Sequence, residues 1–162
     1  MRFQMLWVRG IVFTVLVPAV VGFFLPSAID PRARLRGGIS DAGWLLAAAG
    51  MLTYALCLIR FLAAGGTPAI YFARPLRLLI GEEPAGLVSG GPYRFSRNPL
   101  SVSLLLLYLG LAFQINSSWP LILFLPLLIV NHYGVVLREE RYLEAKFGDT
   151  YRNYRAAVRR WI

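Results

Sequence analysis

Four apolar runs, at residues 6–25, 42–64, 100–115 and 121–136, do most to limit what this chain can fold into. Each approaches the ~20 residues that an α-helix needs to cross a hydrocarbon core about 30 Å thick. A backbone in lipid must satisfy its own hydrogen bonds, and a helix does so within itself. Charged residues make up only 15% of the chain, against roughly 25% in soluble domains. The mean hydropathy is +0.59. The expected fold class is therefore all-α: a polytopic membrane protein of about four transmembrane helices with a cytoplasmic C-terminal helical extension.

The first run, with Arg2 and Arg9 ahead of it, has the outline of a signal peptide, but further spans follow and a retained helix is expected. Arg60, near the end of the second run, is placed to snorkel to the headgroups. The third and fourth runs are separated by the short turn Asn116-Ser117-Ser118, so they should form an antiparallel pair, the second helix opening at Trp119-Pro120. Four spans put both termini on one side. Basic residues favour the cytoplasmic side, and only Arg32, Arg34 and Arg36 of the 17 basic residues fall outside if the termini are inside. The expected location is a bacterial inner membrane, with both termini and the active site cytoplasmic. A net charge of +9 also suits nucleic acid. A chain this apolar has little free basic surface, so lipid is the expected partner and nucleic acid is not.

The fourth helix need not stop at the membrane. Gly148 is a plausible C-cap, and a helix over 119–147 would be roughly 43 Å long. Its last turns should stand in the cytoplasm. Beyond it, Thr150 can cap a short interfacial helix with Tyr151, Tyr154 and Val158 on one face.

Polar residues concentrate at two junctions. Gly90-Gly91-Pro92-Tyr93-Arg94-Phe95-Ser96-Arg97-Asn98-Pro99 runs directly into the third apolar run, with Pro99 in the first helical turn. Asn131, His132, Tyr133, Arg138, Glu139, Glu140 and Arg141 leave the fourth. The hairpin makes these ends neighbours. Arginines can receive a carboxylate and glutamates an ammonium group, so together they could clamp each other or hold a zwitterion. Asn131 and His132 need partners at membrane depth, either between helices or from a ligand. A lone histidine, with the single Cys57 far off in an apolar run, is a poor metal site, so no metal is expected. Neither GxGxxG nor GxxxxGK[ST] occurs, which removes the soluble nucleotide-binding folds.

Several pieces taken together resemble the isoprenylcysteine carboxyl methyltransferase and phospholipid methyltransferase family of integral membrane enzymes. They are Gly91-Pro92-Tyr93-Arg94, Arg97-Asn98-Pro99, Glu139-Glu140, Leu143, Phe147-Gly148, Tyr151, Tyr154 and Arg160-Trp161-Ile162, with Gly65-Gly66-Thr67-Pro68 as a further turn. The similarity covers about residues 65–162. It implies one domain over 1–162, with two N-terminal spans in 1–64 and a cofactor-binding core in 65–162. It also implies S-adenosylmethionine as methyl donor, S-adenosylhomocysteine as product, and a lipophilic acceptor drawn from the bilayer. By position, the cofactor would meet Tyr93, Arg97, Asn98, His132, Glu139, Glu140, Tyr151 and Tyr154. Glu140 is the expected partner of its ammonium group. Arg94, Arg97, Asn98 and Glu139 form the implied catalytic set, with Arg94 or Arg97 meeting a carboxylate or orienting the acceptor.

Two positions depart from the family pattern. Asn98 stands where many members have histidine, and asparagine cannot take a proton near neutral pH. Ser101 stands where tyrosine is frequent. Methyl transfer asks mainly for alignment in a dry pocket. The implied function is S-adenosylmethionine-dependent methylation of a carboxylate or amine on an isoprenoid or lipid. The alternative is a catalytically silent lipid-binding or scaffolding protein of the same fold.

Overall fold

The computed structural model describes residues 40–66, 83–115 and 118–162. The first apolar run and the Arg32–Arg36 loop lie outside the described residues. Helix α1 spans Ser40–Ala63, α2 Pro99–Ile115, α3 Ser118–Val130, α4 Leu137–Phe147 and α5 Asp149–Ala157. A turn of π-helix, Asn131–Val136, joins α3 to α4 without a break, and a 3-10 turn at Gly91–Arg94 precedes α2. The described residues are thus all-α.

Among the described residues, two helices are long and apolar enough to cross a bilayer: Ala42–Ala63, and the 28 residues Pro120–Phe147. The second is about 42 Å long at 1.5 Å per residue, so it outruns the hydrocarbon and projects beyond it. The 16 apolar residues Pro99–Gln114 form a shorter helix between them. The two membrane-length helices support membrane association, while the count of four spans is not reached among the described residues.

The packing is inverted relative to a soluble core. Trp44, Leu45, Met51, Leu52, Ile122 and Leu125 are exposed, while Ser101 and Ser103 are fully buried. Such large apolar side chains on the outside suit lipid, and small residues on the inside let backbones approach. A Cβ at Gly110 would lie 2.5 Å from the Ala47 amide nitrogen, and one at Gly50 would lie 2.7 Å from the Ser103 carbonyl oxygen. These glycines set the close antiparallel approach of α1 and α2. Cys57, Phe61, Tyr93 and Leu100 then form a buried cluster at the end where α1 finishes and α2 begins.

The α2–α3 pair is held differently. Tyr108 donates a hydrogen bond to the Pro120 carbonyl at 3.0 Å, and its ring stacks on Phe124 at 6.1 Å. Within the long helix, Pro126 lacks an N–H. Five residues further on the winding widens: the Leu137 N–H bonds to the His132 carbonyl, an i to i+5 link. Such turns insert one extra residue and shift the face that follows. Here Val136, Glu139 and Glu140 become buried.

The chain after Phe147 departs in one detail from the sequence expectation. Gly148, at φ +53°, ends α4 and also caps α5, which starts at Asp149. Its side chain-free backbone adopts the turn directly, so Thr150 lies inside the helix rather than capping it. Glu139 and Glu140 also stand well inside the long helix, not at its end, so the unfavourable C-terminal dipole does not reach them.

Candidate active site

The site grows from three strands of sequence brought to one end of the helices: the 91–98 turn, the π-turn with α4, and the segment following α5. Asn98 precedes α2, and its carbonyl accepts the Val102 N–H at 3.1 Å, closing the first helical turn. The Asn98 N–H is itself held by the Ser96 Oγ at 3.1 Å. These local bonds fix Arg97 and Asn98 at the helix mouth.

Glu140 is the centre of charge. Arg160 grips it with two hydrogen bonds, Nε to Oε1 at 2.9 Å and Nη2 to Oε2 at 3.0 Å. The Asn98 amide donates to the same Oε1 at 3.4 Å, and Arg97 Nη1 lies 3.6 Å from it. Both Arg97 and Glu140 keep only 9% of their side-chain surface exposed. One carboxylate therefore faces two guanidinium groups. Arg97 receives the weaker contact, and its buried Nε and Nη1 have no hydrogen-bond partner. A buried cation left in this state is costly unless another acceptor reaches it.

The C-terminal segment seals the arrangement. The Arg97 N–H donates to the Arg159 carbonyl at 2.8 Å. Ser96 Oγ and the Asn98 amide both donate to the Arg160 carbonyl at 3.2 Å. Tyr154 donates from its hydroxyl to the Tyr93 carbonyl at 2.7 Å. Tyr151 is almost fully buried; its hydroxyl sits beside Arg97 without an aligned hydrogen bond. Burial, reinforced by Glu140, pushes its phenol from 10.0 up to about 12. Burial also raises the phenol of Tyr154.

A cavity of about 50 Å³ adjoins this cluster, lined by Phe61, Tyr93, Arg97, Glu139, Leu143 and Tyr154 and roofed by Pro84, Leu87 and Val88. The roof is tied to α4: Tyr142 donates to Glu83 at 2.8 Å, and Lys146 also bonds Glu83. Arg97 and Glu139 thus place opposite charges on one cavity wall.

The residues named from sequence divide into groups. Arg97, Asn98, Glu140 and Tyr151 form one contiguous cluster. Tyr93, Arg97, Glu139 and Tyr154 line the adjoining cavity. His132 stands to one side, its ring 5.8 Å from Trp161 and 4.9 Å from Tyr133. Arg94 is exposed on the far side of the 91–98 turn, where it shares a groove with Arg60. Glu140, expected to meet a ligand ammonium, already meets the Arg160 guanidinium. Arg160 and Trp161 were named in the sequence as part of the family resemblance and of a basic tail, with no partner given to either; the chain turns extended at Val158, just before them.

Residues 42–150 match the family described as phospholipid methyltransferase. That span covers most of the chain. The chain belongs to the phospholipid methyltransferase family. At the family level this brings methyl transfer from S-adenosylmethionine in a membrane-associated domain. An uncharacterized protein of Haemophilus influenzae is 44% identical over 64 residues, covering 38% of this chain and 97% of the relative. This relative sets the chain in a bacterial context. No solved structure matches.

Proposed function

We propose that this chain transfers the methyl group of S-adenosylmethionine to a lipophilic acceptor, a carboxylate or amine of an isoprenoid or lipid, at the membrane interface. Family membership supports methyl transfer. The observation that carries the cofactor assignment is the buried guanidinium of Arg97, short of acceptors and set against a cavity that also presents Glu139. A zwitterionic amino-acid end suits that wall: a carboxylate for Arg97 and an ammonium group opposite Glu139. Tyr151 and Tyr154 close the pocket from α5.

The bound donor supplies an electrophilic methyl group on a positive sulfur. The chain's residues do the rest. Arg97 holds the donor's carboxylate and fixes its direction. Asn98 orients Glu140 by hydrogen bonding and carries no proton in either direction. The apolar walls from Phe61, Leu143 and Val88 exclude water, which favours alignment and slows hydrolytic side reactions. A carboxylate acceptor reaches the site already ionised at pH 7, whereas an amine must first give up a proton, for which Glu139 is the nearest cavity-lining base. A cavity of about 50 Å³ is far below the ~300–1,000 Å³ of ordinary ligand sites. Entry therefore requires the roof at 84–88 or the C-terminal segment to move aside. The basic residues gathered at this end support a cytoplasmic placement for it.

Calorimetric titration of the folded, detergent-purified chain with S-adenosylhomocysteine tests the reading. Binding is expected, together with transfer of labelled methyl from S-adenosylmethionine into a bacterial lipid extract. Absence of binding overturns the cofactor assignment. Binding without transfer to any lipid favours the silent, lipid-binding alternative.

A further inference from the structure

Across the 91–98 turn from the Glu140 cluster lies a second, larger depression of about 820 Å³. Its lower wall is apolar, formed by Leu56 and Ile59 of α1 and Val102 and Leu106 of α2. Its upper rim carries Arg60 and Arg94. We infer that this groove seats an anionic glycerophospholipid, its phosphate between Arg60 and Arg94 and an acyl chain along α1 and α2. The inference goes beyond methyl transfer and does not depend on it.

Three observations converge on that occupant. The first is charge. No carboxylate side chain lines the groove among its described residues, and neither the Arg60 nor the Arg94 guanidinium makes a hydrogen bond or ion pair with a described residue. Two unpaired guanidinium groups on one rim present a phosphate site, and arginine's fork matches phosphate oxygens. The second is depth. Arg60 lies in the last turn of the membrane-length helix α1, which sets the rim at the interface. The groove descends from there to Thr53, about 10 Å along the helix. That is most of one leaflet of a ~30 Å core, a depth that suits a lipid chain and not a water-soluble anion. The third is the rim's apolar content. Phe95 and Ile162 flank the arginines with 77% and 80% of their surface exposed. At the headgroup boundary they would pack on the glycerol and upper chain.

The groove is also separated from the Glu140 cluster. Ser96 and Pro99 form part of its side, while Asn98 between them turns its amide to Glu140 and Arg160. Arg60 also packs against the turn: a Cβ at Gly91 would come within 2.9 Å of Arg60 Nε. A bound phosphate would thus fix Arg60 over the Gly90-Gly91 backbone.

Native mass spectrometry of the full chain, released from detergent with added lipid, tests this. Phosphatidylglycerol, phosphatidylcholine of the same chains, and oleate are the three probes. The wild type should retain phosphatidylglycerol at least tenfold over phosphatidylcholine. The double variant Arg60→Gln/Arg94→Gln should bring the two to parity. Equal retention of both lipids by the wild type, or an unchanged preference in the variant, overturns the proposal. Oleate displacing phosphatidylglycerol at equal concentration also overturns it, in favour of a single-chain carboxylate. If the double variant does not fold, Thr53→Trp, which fills the groove's apolar floor, should weaken phosphatidylglycerol retention instead. Failure to do so overturns the proposal. Titration with S-adenosylhomocysteine on the same wild-type sample reads the methyl-transfer assignment separately.

Discussion

Arg97 has the least balanced surroundings of any residue described. It is buried, it shares one carboxylate with Arg160, and two of its nitrogens lack partners. A group in that state contributes little to folding and much to ligand capture. Arg97→Met should therefore leave thermal stability unchanged or raised, while S-adenosylhomocysteine affinity falls about 10- to 100-fold, the range expected for a charge-assisted bond. A calorimetric titration beside a thermal melt separates the two effects. Glu140→Ala should behave in the opposite way. It leaves Arg97 and Arg160 facing each other without their shared anion, at a cost of about 3–5 kcal/mol, visible as a lowered Tm without ligand. Tyr151 and Tyr154 add a pH dependence. Each phenol binds its proton more tightly in the folded chain, because burial disfavours the phenolate. The stability this gives is fully present below the ordinary phenol value of 10.0 and is lost as pH rises toward about 12 for Tyr151. Tm should hold level up to roughly pH 9.5 and fall above pH 10, and Tyr151→Phe should flatten the fall. At this scale the sequence disclosed residue types better than partners. Arg97, Asn98 and Glu140 were legible because polar groups at helix mouths need explanation. Arg160 was not, because a basic tail in sequence looks the same whether it lies in water or on a buried carboxylate.

At the scale of elements, two glycines act by different means. Gly110 permits contact, since a methyl group there would press on the Ala47 backbone at 2.5 Å. Gly110→Val should separate α1 from α2 and destabilise the fold by about 1–3 kcal/mol or more, measurable as loss of the folded fraction in urea or sodium dodecyl sulfate titration. Gly148 permits conformation. At φ +53° and ψ −124° an L side chain is strained, at a cost on the order of 1–3 kcal/mol. Gly148→Ala should free α5 from the site and lower cofactor affinity together with Tm. Helix lengths and the α2–α3 hairpin were readable from hydropathy. The long helix running to 147 was readable from Gly148 as a C-cap beyond the charged turns, even with Pro126 inside it. The π-turn was not, because the shift from an i to i+4 to an i to i+5 link leaves no mark in residue type or spacing.

At the scale of the whole molecule, the polar cluster of the described residues is gathered at one end of the helices, with large apolar side chains exposed along α1 and α3. The family resemblance made that division expected, and the match over residues 42–150 places the chain in the phospholipid methyltransferase family. What the sequence could not show is how tightly the candidate site is packed. Arg160 occupies Glu140, the 159–160 backbone binds residues 96–98, and little space remains. Association should therefore be gated by opening. In stopped-flow mixing, the observed rate of S-adenosylhomocysteine binding should level off at high ligand concentration. Arg160→Ala should raise that plateau several-fold. A rate rising linearly through the full concentration range in both proteins would show an open site instead.

The extra residue wound into Asn131–Val136 carries an obligation for everything downstream. Were the same six residues wound as ordinary α-helix with none removed, the remainder of the helix would swing by about 100° around its axis. Glu139 and Glu140 would then be delivered toward the acyl chains, and the carboxylate that draws Arg97, Asn98 and Arg160 together would be gone. In this respect the segment is a wound spacer, whose widened turn sets which face the carboxylates downstream present.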